Sequence, residues 1–184
     1  LIIELKESEK FYVEKINVFG NNITRENVIR DQLLLDEGDG FNKLLLEKSI
    51  NSLRSKNFFA VVKPEVIKGS TDQFKILNIE VEEKATGEIS AGAGLSTSGG
   101  SLGFSVTENN YLGKGIRLKT SLNISDDDIR GVFDVRNPNF KYSDRALNTS
   151  ISSIKTDRLT QAGYENTKTG MTLGTSYEQY EDFY

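Results

Sequence analysis

The chain reads as a small α+β domain of element order βααββ followed by an antiparallel up-and-down transmembrane β-barrel fragment of about six strands. Three observations predict this. From Gly87 onward one strand pattern follows another, with no helix pattern among them. In Gly87–Ser96 the apolar positions are Ile89, Ala91, Ala93 and Leu95, while Glu88, Ser90, Gly92 and Gly94 alternate with them, a period of two. Such a face needs a second layer, and this half offers neither a helix nor an obvious second sheet. Lipid outside and water inside a barrel resolve the conflict. Finally, helix-period patterns are confined to the first third of the chain.

Residues 1–8 read as the end of a preceding domain, with Leu1–Leu5 strand-like and then a charged linker; 9–84 form the α+β domain and 85–184 the barrel part. The chain opens on Leu1 inside an apolar run and is read as an excerpt of a longer protein. Phe11–Phe19 alternates, and the slip from Val13 to Ile16 predicts a bulge. Gly20-Asn21-Asn22 is a turn. Thr24 is expected to cap a helix carrying Val28, Ile29 and Leu33. Leu46, Ile50 and Leu53 place a second helix over Asn42–Lys56, stopped by a left-handed Asn57, with Phe58 and Phe59 packed beneath. Val61–Ile67 is a strand whose Pro64 favours a sheet edge. After a turn at Gly69–Asp72, Phe74–Val81 is the last strand, apolar at Leu77, Ile79 and Val81.

Six strands follow: Gly87–Ser96, Ser101–Thr107, Ile116–Ile124, Ile129–Arg136, Ala146–Ile154 and Thr167–Tyr177. Their short connections predict a meander. Ser98–Gly100, Ser125–Asp128 and Thr156–Asn166 are polar, the last being the longest. Asn109–Gly115, Asn137–Asp144 and Glu178–Phe183 carry Tyr111, Phe140, Tyr142, Tyr180 and Phe183, with Tyr177 at the rim, an interfacial girdle at one end. Leu118, Leu122, Phe133, Val135 and Leu173 are expected to meet lipid, and Arg117, Lys119, Arg130, Asp134 and Arg136 to line the wet side.

Composition excludes several functions. Net charge is −4, from 27 acidic and 23 basic residues, which gives no case for nucleic acid. With no cysteine and no histidine, disulfides, thiolate or imidazole metal sites and His- or Cys-dependent catalysis are out. Glu82 and Glu83 have no base partner in view, so no enzyme activity, metal or cofactor is expected. Gly92, Gly94, Gly99, Gly100 and Gly103 precede no helix and so are not a phosphate loop. They either relieve crowding or weaken the pairing of the first strand with its closing neighbour, and residues alone leave both readings open. Asp126-Asp127-Asp128 lacks the glycine and distal glutamate of a calcium loop and reads as a hydrated turn. The charges on the wet face read as a solvated wall with cross-strand ion pairs.

Phe11-Tyr12-Val13-Glu14-Lys15-Ile16-Asn17-Val18-Phe19-Gly20-Asn21 resembles the opening of a POTRA domain in the outer-membrane β-barrel assembly family typified by BamA. Leu53-Arg54-Ser55-Lys56-Asn57-Phe58-Phe59-Ala60-Val61-Val62 is similar to that domain's second helix running into a strand. Val81-Glu82-Glu83-Lys84-Ala85-Thr86-Gly87 resembles the passage into the first barrel strand. Asn110-Tyr111-Leu112-Gly113-Lys114-Gly115 and Arg136-Asn137-Pro138-Asn139-Phe140 resemble its first two periplasmic turns. The resemblance implies the POTRA domain nearest the membrane and the first strands of a larger barrel. It implies the outer membrane of a Gram-negative bacterium, with the POTRA domain in the periplasm. Implied partners are unfolded outer-membrane proteins, assembly-complex lipoproteins, periplasmic chaperones and lipid.

The expected mechanism is strand augmentation at two edges. One is the barrel seam: Gly87, Glu88, Ile89, Ser90, Ala91, Gly92, Ala93, Gly94 and Leu95. The other is the POTRA edge: Val61, Val62, Lys63, Glu65, Val66 and Ile67. Lys84, Ala85 and Thr86 are expected to form a short hinge. Rival readings are a secretion pore exporting one partner protein, a passive channel, and a soluble periplasmic α+β protein with an appended sandwich.

Overall fold

A computed structural model describes residues 9–96, 99–143 and 145–177, so the expected end of a preceding domain at 1–8 and the aromatic connection at 178–183 lie outside the described residues. The chain divides into two units, Leu1–Ala85 and Thr86–Tyr184.

The first unit runs β1 (Tyr12–Phe19), α1 (Glu26–Arg30), α2 (Lys43–Ser55), β2 (Phe59–Lys68) and β3 (Phe74–Glu83). Its sheet order is β1-β3-β2, with β1 parallel and β2 antiparallel to β3. The expected bulge is present, because the β1 register shifts between Val13 and Lys15. It puts both Val13 and Ile16 in the core, at 0% and 1% exposed. There they meet Ile29, Leu46, Ile50, Leu53, Leu77, Ile79 and Val81. Helix α2 has its apolar residues at helical spacing and is N-capped by Asn42, whose side chain accepts from the amides of Leu44 and Leu45. Asn57 takes φ 60°, the left-handed stop, and buries Phe58 and Phe59 behind it. Gly20 has φ 87°, and a Cβ there would lie 2.0 Å from the Val81 carbonyl oxygen, so only glycine fits this turn. Ser49 is buried because its hydroxyl joins α2 to the preceding loop: it donates to Leu45 O and accepts from Leu34 N, both at 2.8 Å.

Thr24 does not cap the first helix. Arg25 is the N-cap, α1 has five residues, and Leu33 lies beyond its end. The Thr24 amide is claimed by Glu83 at 2.6 Å, a contact from the other end of the domain that no local pattern reveals.

The second unit is a meander of β4 (Gly87–Ser96), β5 (Gly99–Tyr111), β6 (Ile116–Ser125), β7 (Asp128–Asn137), β8 (Arg145–Arg158) and β9 (Tyr164–Tyr177), with a short α3 (Leu159–Ala162) between the last two. Each strand pairs antiparallel with the next in sequence. The expected long polar connection at 156–166 is mostly strand, because the β8–β9 ladder continues through Arg158 and Tyr164. Likewise Gly99 and Gly100 belong to β5, and that strand runs on to Tyr111.

Register carries a row across the sheet that is apolar except at Thr120: Ile89, Val106, Thr120, Phe133, Ile151 and Met171. Its neighbour begins Ala91, Phe104, Leu122, Gly131. Leu118, Leu122, Phe133, Val135 and Leu173 all fall on this face, while Lys119 and Asp134 face each other on the opposite one. Phe104, Leu122, Phe133 and Met171 are exposed. Large apolar side chains along a sheet that no described residue of this unit covers are what a lipid-facing wall requires. Tyr111, Phe140 and Tyr177 lie at the end where β4 begins, while Tyr164 lies at the opposite end.

Candidate strand-binding edges

Strand β4 is the first strand of its sheet, and β5 is its sole partner among the described residues. The phase of its free backbone follows from one bond: the Asn109 amide donates to Thr86 O at 3.2 Å, in the register that pairs Gly87 with Glu108. In an antiparallel ladder, residues alternate between bonding their neighbour and bonding away from it. Thr86, Glu88, Ser90, Gly92 and Gly94 therefore bond toward β5, and Gly87, Ile89, Ala91, Ala93 and Leu95 turn N–H and C=O outward. The nine expected seam residues thus split into two sets. The outward set also carries the side chains of the apolar face. Ile89 is 75% and Leu95 95% exposed. The small Ala91 and Ala93 leave a shallow depression against Leu102, Phe104, Leu122 and Ile124.

In the first unit the β1 edge is covered by its own chain. Val13 N donates to Asp39 O, Gly38 N to Val13 O and Phe41 N to Phe11 O. Past the bulge, Ile16 N donates to Glu37 Oε1 at 3.0 Å and Arg30 donates to Ile16 O at 2.7 Å. The β2 edge differs. Gly69 N donates to Phe74 O, in phase with the β2–β3 register, so Lys63, Glu65 and Ile67 bond toward β3. Val62, Pro64, Val66 and Lys68 point outward. Of the expected edge residues, then, only Val62 and Val66 present backbone groups to an added strand. Val61, Lys63, Glu65 and Ile67 spend theirs on the ladder. Pro64, the edge marker read from sequence, and Lys68, beyond the expected strand, complete the outward set, and a proline inside a paired strand itself fixes this phase, since it has no N–H to give the ladder. Also missed was Arg54 on α2, whose guanidinium donates to Val62 O at 2.9 Å. That contact depends on the packing of α2 beside β2 and has no local signal.

The expected hinge residues are held by polar bonds. Lys84 N donates to Phe58 O, and its ammonium meets Asn57 Oδ1. Thr86 O accepts from both nitrogens of Asn109, and its hydroxyl donates to Glu108 Oε1 at 2.5 Å. Lys84 is thus bonded within the first unit and Thr86 within the second, with Ala85 between them.

Just before them, Glu83 receives the amides of Ile23 and Thr24 at 2.8 and 2.6 Å. Partial burial works against its charge, but the Thr24 hydroxyl and the amides of Thr24, Ile23 and Asn22 outweigh it, so its pKa lies below the ordinary carboxylate value. Glu37 is lowered as well, first by the Ile16 amide and then by Arg30. A carboxylate with a depressed folded pKa adds stability above its unfolded pKa and loses it as pH falls through the folded one. The first unit is therefore expected to hold its stability from neutral pH down to about 4.5, the unperturbed value, and to lose it below. Thermal melts of the α2 helical signal across that range check this. Glu83→Gln should melt lower at pH 7 and show a shallower acid loss; an unchanged profile would exclude the Glu83 latch.

On the wet face Lys119 stands opposite Asp134, while Arg117 stands opposite Arg136. Like charges in register are destabilising unless water or a counter-ion screens them. These residues line a concavity of about 320 Å³ with Asn148 and Thr149. Asp126, Asp127 and Asp128 serve local bonds: Gly100 N donates to Asp126, Gln161 to Asp127 and the Thr156 hydroxyl to Asp128. Among the described residues no cluster of acids has metal-binding geometry.

A family model described as "POTRA: Surface antigen variable number repeat" matches residues 11–84. The chain is 31% identical over 150 residues to the outer membrane protein assembly factor BamA of Buchnera aphidicola, covering 79% of this chain and 24% of that protein. It is 32% identical over 123 residues to BamA of Neorickettsia risticii, covering 66% and 16% respectively. Among solved structures, BamA from Haemophilus ducreyi lacking POTRA domains 1-3 matches with TM-score 0.79 at 24% identity, over 89% of this chain and 32% of that one. CdiB from Escherichia coli matches with TM-score 0.62 at 16% identity, over 92% and 34%. At those identities the structural likeness speaks for the fold. The chain spans a quarter or less of the length of these curated relatives.

Proposed function

The chain belongs to the BamA-like family of outer-membrane β-barrel assembly factors, and from that membership we propose that it inserts barrel proteins, without enzymatic chemistry, by lending backbone edges to their strands. It lies in the outer membrane of a Gram-negative bacterium, with the POTRA unit in the periplasm. The observation that carries the mechanism is the phase of β4. Its outward backbone groups sit on Gly87, Ile89, Ala91, Ala93 and Leu95, which also form the apolar face. A strand that pairs there in phase has its own apolar residues delivered to lipid. Unsatisfied backbone groups in hydrocarbon cost several kcal/mol each, which drives capture. The proposed partners are unfolded outer-membrane proteins as substrates, periplasmic chaperones that deliver them, assembly-complex lipoproteins and membrane lipid.

A cysteine scan along β4 tests this, since the chain has no native cysteine. An arrested barrel precursor carrying one cysteine in its strand should form disulfides at Ile89, Ala91 and Ala93 in steps of two, with those at Ser90 and Gly92 weaker. Disulfides at the wet-face positions Lys119 and Arg130 alone would instead favour export of a partner through the lumen. A passive channel leaves the POTRA unit without a role.

A further inference from the structure

The two edges of the POTRA sheet are treated differently. Edge strand β1 is sealed by backbone bonds from 38–41 and by Glu37 and Arg30. Edge strand β2 carries a proline, and Arg54 reaches across to bond Val62 O. Beside it, between α2 and β2, runs a groove of about 500 Å³ whose wall is apolar at Phe41, Leu46, Ile50, Pro64 and Val66 and polar at Lys43, Glu47, Asn51 and Arg54. Val62, Pro64 and Val66 share a face of β2, because side chains alternate along a strand. A strand added to this edge would therefore drop every second side chain into the groove. The apolar part of this wall, Phe41, Leu46, Ile50, Pro64 and Val66, suits an extended segment with apolar residues at that spacing, the pattern of a membrane strand, while Lys43, Glu47 and Asn51 suit polar groups beside them.

We infer that Arg54 is a guard on this edge, which confines strand addition to the Pro64–Lys68 half until a substrate displaces it. Resting on the strand-addition reading above, the inference concerns how that edge is regulated. Three features combine. Val66 and Lys68 offer both backbone groups, Pro64 offers only its carbonyl, and Val62 O is already bonded. An incoming N–H must compete with a guanidinium for that oxygen, and a bond from a charged donor is the stronger of the two. A short segment stops at Pro64. A longer one gains the Val62 positions only by releasing Arg54, which a carboxylate on the segment eases by offering the freed guanidinium a bidentate partner. Since Arg54 is exposed and its guanidinium is held by one bond among the described residues, its release is reversible. Open sheet edges are commonly protected against indiscriminate pairing, and here the cover is removable.

The test uses full-length protein in detergent micelles and a fluorescent synthetic peptide of alternating valine and threonine with lysine ends. Binding is read by anisotropy. Arg54→Met keeps the aliphatic stem and removes the donor, and should bind the peptide roughly three- to tenfold tighter, the range a surface bond of about 1 kcal/mol spans. Val66→Pro removes an outward N–H without touching the β2–β3 ladder, and should weaken binding and abolish the gain when combined with Arg54→Met. Helical circular dichroism checks that each variant stays folded. If Arg54→Met leaves affinity unchanged or weakens it while Val66→Pro weakens binding, the guard is refuted and strand addition stands. If neither variant changes affinity, addition at this edge fails as well.

Discussion

Tethering position 91 to the strand that closes the full-length barrel is expected to abolish substrate insertion while leaving the protein folded. Ala91→Cys, paired with a cysteine on the facing residue of the closing strand, would form the sole disulfide if the remainder of the protein lacks reactive thiols, as this chain does. Oxidation would then hold the outward groups of β4 to their resting partner, and reduction should restore insertion. The backbone phase supplies a sharper companion. Ala91 turns its N–H outward, whereas Ser90 spends its own on Ser105 of β5. Ala91→Pro should therefore leave the β4–β5 ladder intact, yet deprive any captured strand of a bond worth several kcal/mol in hydrocarbon. Ser90→Pro should damage folding itself. Insertion assays with folded protein, judged by heat-modifiable migration, separate the two. Normal insertion by the oxidised tether would end the moving-seam mechanism, leaving the POTRA edge as the remaining route.

Arginine at Leu122 is expected to cost about 2–4 kcal/mol of barrel stability, the range for a charge on the lipid face near the bilayer midplane. Of the expected lipid-facing residues on β6, register favours Leu122 over Leu118 as the probe. Leu118 stands beside Glu108, whose carboxylate is already bonded to Thr86 and to the Asn110 amide at the strand ends. Leu122 stands between Phe104 and Gly131, within the apolar belt. The penalty falls toward about 0–1 kcal/mol near the interface, so Leu118→Arg should cost less. Lys119→Leu should cost least, since its position faces water. Equilibrium folding in lipid vesicles of varied urea content gives the order. A reversal, or equal losses at Leu122 and Lys119, would invert the assignment of faces.

Most of the fold could be read from residues whose neighbours act locally. The β1 bulge, the Asn57 stop, the Pro64 edge and β4 all announce themselves by alternation or by a backbone constraint at a single residue. The failures have a common cause in partners distant along the chain. Thr24 looks like a cap until Glu83 arrives to claim its amide. Strands β8 and β9 look shorter than they are because alternation ends where the wall leaves the apolar belt. There Thr156, Asp157, Glu165 and Asn166 are polar on both faces, yet the ladder continues and Lys155 reaches Glu165 at 2.8 Å. The candidate edges were visible as segments, but not which half of each segment is free. For β2 that depends on Arg54, which only the packing of α2 against the sheet brings to Val62.

The alternation of β4 also sets a pitch. A captured strand that shifts by one residue would present its polar side chains to lipid and its bonding groups out of phase, so such a shift is forbidden twice over. A shift by two residues, close to 7 Å along the strand, restores both. Docked strands can therefore occupy only a ladder of discrete positions. Ala91 and Ala93, lacking the bulk to prefer one over another, make the steps between them shallow. On the strand-capture proposal, the edge would act as a ratchet track, along which a strand placed wrongly at first could advance by whole notches while its faces remain correctly turned.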